Sequence, residues 1–226
     1  MTPDTASHHT APHDPGSADP DARFWDRAAR KYAASRIGDE AAYERTLART
    51  RALLGPADAV LELGCGTGTT ALRLAPHVGR LFATDVSPEM IAIARERAAA
   101  AGETNATFSV AAADTTPTIP GAFDAVLAFN LLHLLPDRAA ALRRAHGLLR
   151  PGGLLVTKTP CLSEMNPLIR LLVPAMRLVG KAPFVSFFDG PALEREMEVE
   201  GFTIEERARH GSGRRDPRVF LVARRD

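Results

Sequence analysis

Apolar positions along the chain recur with two different periods, and the alternation between them predicts the elements. Phe24, Trp25, Ala28 and Tyr32 fall at helical spacing, as do Tyr43, Leu47 and Leu54, so helices are expected over 21–35 and 39–54. Gly55-Pro56 stops the second. Short apolar runs at 59–63, 80–84, 106–111, 123–129 and 154–159 read as strands. Helical spacing returns at 69–75, 88–101 and 137–149; Ser87 is placed to cap the second of these, with Pro88 at its first position and Gly102 at its end. A last helix at 189–200 precedes strands at 203–209 and 219–224. This order predicts an α/β fold: seven strands, the first five joined by crossovers and mostly parallel, the last two forming an antiparallel hairpin, with helices on both faces and a helical cap at 21–55.

Composition narrows the picture. The 226 residues suit one core, and 45% hydrophobic with 24% charged residues argues against wholesale disorder. Residues 1–20 are the exception: rich in Pro, Ser, Thr, Asp and His, they read as a disordered tail before a single domain at 21–226. His8, His9 and His13 lie there and fit a solvated tail better than a metal site, and no metal is expected elsewhere. Lys and Arg number 28 against 27 Asp and Glu, a net charge of +1 that does not suggest a nucleic-acid partner. Cys65 and Cys161 make neither a disulfide framework nor a zinc site. With no secretory h-region near Met1 and no apolar run near the roughly 20 residues that cross a bilayer, a cytoplasmic location is expected.

The chemistry concentrates at Val60 to Ala75, VLELGCGTGTTALRLA, where a strand runs into Gly64, Gly66 and Gly68 and then a helix. Three glycines let the backbone turn sharply and approach a ligand at the carboxyl end of the first strand. A P-loop requires Gly-Lys-Ser/Thr, but Gly68 is followed by Thr69-Thr70. The dinucleotide spacing is not met either, since Thr69 stands three places after Gly66. Asp85, seventeen residues beyond Gly68, follows the second strand, where a carboxylate can accept two ribose hydroxyls.

With Glu62, Leu63, Gly64, Gly66 and Gly68 in this order and Asp85 beyond them, the chain resembles the class I S-adenosylmethionine-dependent methyltransferases, from about Phe24 to Arg225. Within them it is similar to the ubiquinone/menaquinone-biosynthesis group, methyltransferase type 11. The resemblance implies a Rossmann-like sheet, S-adenosyl-L-methionine as cofactor and S-adenosyl-L-homocysteine as product. It assigns cofactor contacts to Glu62, to the loop Gly64, Cys65, Gly66 and Gly68, and to Asp85, with Val86 and Met90 flanking the adenine. The adenine edge falls to Asp114 through a shifted loop or to the backbone N–H of Ala113, because Ala112 stands where many members have an acid. A backbone carbonyl near Phe129 or Asn130 would receive the cofactor ammonium, and Tyr32 would close over the site.

The acceptor side carries less of a code. His133, just beyond the fourth strand, is the candidate general base, or a packed histidine in LLHLL; Lys158 and Cys161 end the fifth strand and could shape the acceptor pocket. Residues 161–188 form a helical insertion. From Met165 to Phe188 it has no acid, only Arg170, Arg177 and Lys181 in one stripe among apolar residues, with Pro174 expected to bend it. It reads as a cover for an apolar acceptor, as packing or a dimer contact, or as a membrane-surface helix, the last not favoured. The expected activity is methyl transfer to a small apolar or aromatic molecule by a monomer or homodimer; action on a lipid or quinone at a membrane surface, or a non-catalytic cofactor-binding regulator, are the alternatives.

Overall fold

The computed structural model describes residues 20–116, 119–165, 168–213 and 216–226; the expected tail at 1–20, with its three histidines, lies outside them except for Pro20, which begins the first helix. In chain order the elements are α1 Pro20–Ala34, α2 Glu40–Leu53, β1 Ala59–Leu63, α3 Thr69–Leu74, β2 Arg80–Asp85, α4 Pro88–Ala101, β3 Ala106–Val110, β4 Phe123–Phe129, α5 Arg138–Leu148, β5 Leu149–Pro160, α6 Ile169–Leu178, α7 Gly190–Val199, β6 Phe202–Ala208 and β7 Arg218–Arg225. Helix starts are set by side chains that accept the otherwise unpaired first N–H groups: Asp39 from Ala42, Ser87 from Met90, Asp137 from Ala140 and Asp189 from Ala192. Gly102 ends α4 at φ 64°.

The strands form one sheet in the order β3-β2-β1-β4-β5-β7-β6. The first five are parallel, and β7 is antiparallel to both β5 and β6, so the expected hairpin is present and its second strand sits inside the sheet. β5 begins earlier than its apolar run. Leu149 already pairs with Phe123, and the register shifts before Ala125 meets Leu154, so Pro151-Gly152-Gly153 is an irregularity within the strand rather than a turn before it.

Alternation along each strand divides the core in two. Leu61, Leu63, Val126, Ala128, Leu155 and Leu221 face α5 and α7, packing with Leu142, Leu148, Leu193 and Met197. Val60, Leu127, Val156, Phe220 and Val222 face the other way, toward Leu47 of α2, Leu74 of α3 and Ile91 and Ala94 of α4. β1 is buried at all five positions, as expected of a strand covered on both faces.

Strand order reverses direction between β1 and β4: β2 and β3 lie to one side of β1, and β4 to the other. The loops leaving β1 and β4 therefore diverge and open a crevice at their carboxyl ends.

Candidate functional site

That crevice is a cavity of about 960 Å³, walled by the ends of β1 to β4 and by α1. The glycine loop forms its floor. Gly64 has φ 67°, and a Cβ there would stand 2.6 Å from Leu131 Cδ1, so this position excludes side chains on two grounds. A Cβ on Gly66 would meet only Tyr32 Cε1 at 3.8 Å, which leaves the inner side of the loop open to a ligand. Gly68 does not line the cavity; its Cβ would lie 2.9 Å from Ala94 Cβ and 3.0 Å from Phe108 Cε1, so it lets the loop pack against α4 and β3.

Of the acids that line the cavity, two belong to the strands β1 and β2. Asp85, at the end of β2, accepts the Gly66 N–H at 2.9 Å on one oxygen and the Ser87 N–H at 3.0 Å on the other. These bonds fix the carboxylate and leave acceptor capacity on each oxygen. Burial raises its pKa above the ordinary carboxylate range, opposed by those same N–H groups. Glu62, on β1, is buried; its Oε2 has no partner and its carboxyl is pushed up to about 8, mainly by burial and further by the charge of Asp85. An unpartnered buried acceptor of this kind calls for a donor, and a cationic one suits it best.

The residues anticipated from sequence divide clearly. Tyr32, Glu62, Gly64, Cys65, Gly66, Asp85, Val86 and Met90 line the cavity, as do Ala113, Asp114, Phe129 and Asn130. Asn130 turns the chain with φ 52°, held by its N–H to the Lys158 carbonyl at 2.8 Å. Cys65 is buried, and burial beside two acids pushes its thiol well above the ordinary range, so it stays protonated. His133 does not line the cavity: it sits in a single 3-10 turn, Leu132–Leu134, with Nδ1 buried and unpartnered and its pKa lowered to about 4 by burial. Lys158 and Cys161 lie away from it too. Lys158 Nζ donates to Thr46 Oγ1 of α2 at 2.7 Å, and burial pushes the Cys161 thiol up to about 12. None of the described residues of 165–188 lines the cavity.

Several lining residues carried no role in the sequence. Thr67 lies between the second and third glycines and Thr69 and Thr70 follow them, and their hydroxyls were a legible signal. Tyr43 of α2 brings its hydroxyl 3.3 Å from that of Thr70. Arg97, on α4, had no sequence signal: its Nη1 donates to the Thr67 hydroxyl at 2.8 Å and the Thr69 hydroxyl at 3.0 Å, and its Nη2 donates to the Ala33 carbonyl at 2.8 Å. It thereby ties the glycine loop to the end of α1. Asp26 secures the other end, accepting from the Ser87 hydroxyl at 2.5 Å, while Ala29 packs on Met90 and Ile93. Together these contacts hold α1 over the cavity, with Trp25 and Tyr32 edge to face at 6.3 Å.

Residues 60–153 match the methyltransferase-domain family. The chain is 32% identical over 104 residues to the ubiquinone biosynthesis O-methyltransferase of Xanthomonas campestris pv. campestris, covering 46% of this chain and 44% of that protein, so it spans under half the length of this relative. It is 27% identical over 178 residues to the demethylmenaquinone methyltransferase of Lactococcus lactis, covering 68% and 69% of the two chains. In fold it is similar to an S-adenosylmethionine-dependent methyltransferase from Mesorhizobium loti, with a TM-score of 0.67 at 24% identity over 82% of this chain and 98% of that one.

Proposed function

Starting from a methyltransferase domain at residues 60–153, we propose that the protein transfers a methyl group from S-adenosyl-L-methionine to a small apolar or aromatic acceptor by in-line displacement. The observation that carries this reading is the pairing, in one cavity, of the Asp85 carboxylate fixed by Gly66 and Ser87 with the unpartnered oxygen of Glu62. The cavity fits the cofactor's groups in kind. Asp85 has acceptor capacity for a ribose diol, and Glu62 and the turn at Asn130 suit an ammonium group. Val86 and Met90 offer apolar surface to a flat base, with Ala113 or Asp114 at its edge. When bound, S-adenosyl-L-methionine supplies a sulfonium methyl already activated toward nucleophiles, so the chain's task is to position and to exclude water.

Exclusion of water falls to α1, which Arg97 and Asp26 hold in place. Apolar surface for the acceptor is available in the same cavity from Trp25, Ile37, Leu131, Leu134 and Leu135, and the cavity also holds the hydroxyl pair of Tyr43 and Thr70. Relatives named for ubiquinone and demethylmenaquinone make an aromatic ring a reasonable acceptor class. His133, neutral and off the cavity, fits a packing role, so the proposal rests on positioning rather than on a histidine base. Isothermal titration with S-adenosyl-L-homocysteine tests the reading: binding is expected, and its absence at millimolar ligand refutes it. Asp85→Ala should weaken that binding by about 1.5–3 kcal/mol, roughly 10- to 150-fold; unchanged affinity would remove Asp85 from the site.

A further inference from the structure

The segment between β5 and α7 holds chemistry that methyl transfer does not use. One face of α6, with Ile169, Val173 and Met176, is partly covered. The opposite face is also apolar yet open: Leu172 is 58% exposed and Leu178 89%, and Val179 just beyond the helix is 67% exposed. A helix that is apolar on both sides is ordinarily enclosed. Arg170 and Arg177 run in one stripe beside the open face, Lys181 follows, and 165–188 contains no acid. Arg170 donates to the Ser163 hydroxyl at 2.8 Å and Arg177 lies 4.8 Å over the Phe184 ring, and among the described residues neither cation pairs with a carboxylate.

The segment is also pinned beside the cavity. The Phe184 N–H donates to Asp21, a cavity residue, at 3.0 Å, and the Ser186 N–H donates to the His133 carbonyl at 2.8 Å. Arg138 at the start of α5 donates to the Ser186 hydroxyl at 2.8 Å and stacks 4.0 Å over Phe188. These bonds place 184–188, the stretch that follows α6, beside the cavity.

We propose that α6 and the residues through Lys181 dock on an anionic lipid bilayer, with Leu172, Leu178 and Val179 entering the interface and Arg177 and Lys181 meeting lipid phosphates. Charge selects this occupant over a second copy: in a two-fold dimer the patch would meet itself, and its cations would face cations with no acid to receive them. Taking an apolar acceptor directly from the bilayer would rest on the proposed methyl transfer; the docking itself does not.

The test is flotation of the full chain with vesicles of phosphatidylcholine alone or mixed with phosphatidylglycerol. Binding to the mixed vesicles is expected, falling with salt. Arg177→Gln and Lys181→Gln should each weaken it about fivefold, and both together about thirtyfold. Leu178→Ser with Val179→Ser should abolish it. Circular dichroism on the same samples shows that the variants are folded, and S-adenosyl-L-homocysteine titration reports the cofactor reading separately. The proposal is overturned if the mixed vesicles recover no protein, or if the Arg177 and Lys181 variants bind as well as the parent. A concentration-dependent dimer lost in the Leu178/Val179 variant, without vesicle binding, would assign the face to a second copy and overturn it as well.

Discussion

Replacing Glu62 by Gln separates the cost of burying an acid from the benefit of receiving a cation. Glu62 is 3% exposed, one of its oxygens has no partner, and its carboxyl is raised from 4.5 to about 8, first by burial and then by Asp85. The sign follows from where the proton resides. Below pH 4.5 folded and unfolded chains both keep it, and the effect vanishes. Between 4.5 and about 8 the unfolded chain releases its proton while the folded chain retains it. The folded state then loses about 1.4 kcal/mol per pH unit. This reaches about 3 kcal/mol at neutral pH and levels off once the folded carboxyl also ionises. Gln removes that loss but leaves a buried amide N–H without a partner, an offset of about 1–2 kcal/mol. Ligand-free E62Q should therefore be more stable than the parent by about 1–2 kcal/mol at pH 7 and about 2–3 kcal/mol at pH 8, a rise in Tm of about 2–8 °C at pH 7, and no more stable at pH 5. Scanning calorimetry at the two pH values measures this. Binding should show the converse. An ammonium-bearing ligand requires ionised Glu62, so the parent's affinity for S-adenosyl-L-homocysteine should rise with pH by up to about tenfold per unit below pH 8, with about one proton released, and E62Q should show neither. A stability difference that is the same at pH 5 and pH 8, or equal proton release by parent and variant, would refute the reasoning.

Further expectations concern the loop and its cover. Gly68→Ala places a Cβ 2.9 Å from Ala94 Cβ at φ 75° and should cost about 2–4 kcal/mol in urea unfolding; a cost under about 0.5 kcal/mol would contradict the packing role. Arg97→Ala should free the end of α1, speeding limited proteolysis between α1 and α2 and weakening cofactor binding about tenfold, with Arg97→Lys recovering part of both; unaltered protection would show that Arg97 holds nothing. His133→Ala should leave the shape of the pH–rate profile between pH 6 and 9 unchanged, because a ring titrating near 4 is neutral throughout. Loss of an ionisation near pH 6–7 in that variant would restore a base role.

What the sequence disclosed and what it hid have the same origin. β1 and β4 were legible because a strand covered on both faces reads as a nearly continuous apolar run, and Gly102 and Ser87 because a helix end needs particular residues. The glycine loop was legible as a loop but not residue by residue: Gly64, Gly66 and Gly68 look alike in spacing, yet one makes room for Leu131, one opens to the cavity and one packs under α4. His133 was placed correctly just beyond β4, but which way an imidazole points within one 3-10 turn depends on neighbours from 184–188. Arg97 was invisible because its three partners come from α1 and the glycine loop, elements that meet only in the folded chain. The early start of β5 escaped because Pro and Gly ordinarily end elements, and here they shape a bulge.

The placement of β7 sets an order on assembly. Among the described residues, β5 takes β4 on one side but on the other pairs only with β7, and β6 has no strand neighbour except β7. During synthesis, residues 149–160 must therefore wait with one edge unpaired until residues 218–225 have emerged, and β6 must wait beside them. A nascent chain paused within that interval would hold a nearly complete cofactor cleft on an open sheet, the stage at which it is most exposed to strand exchange with a neighbour on the same polysome.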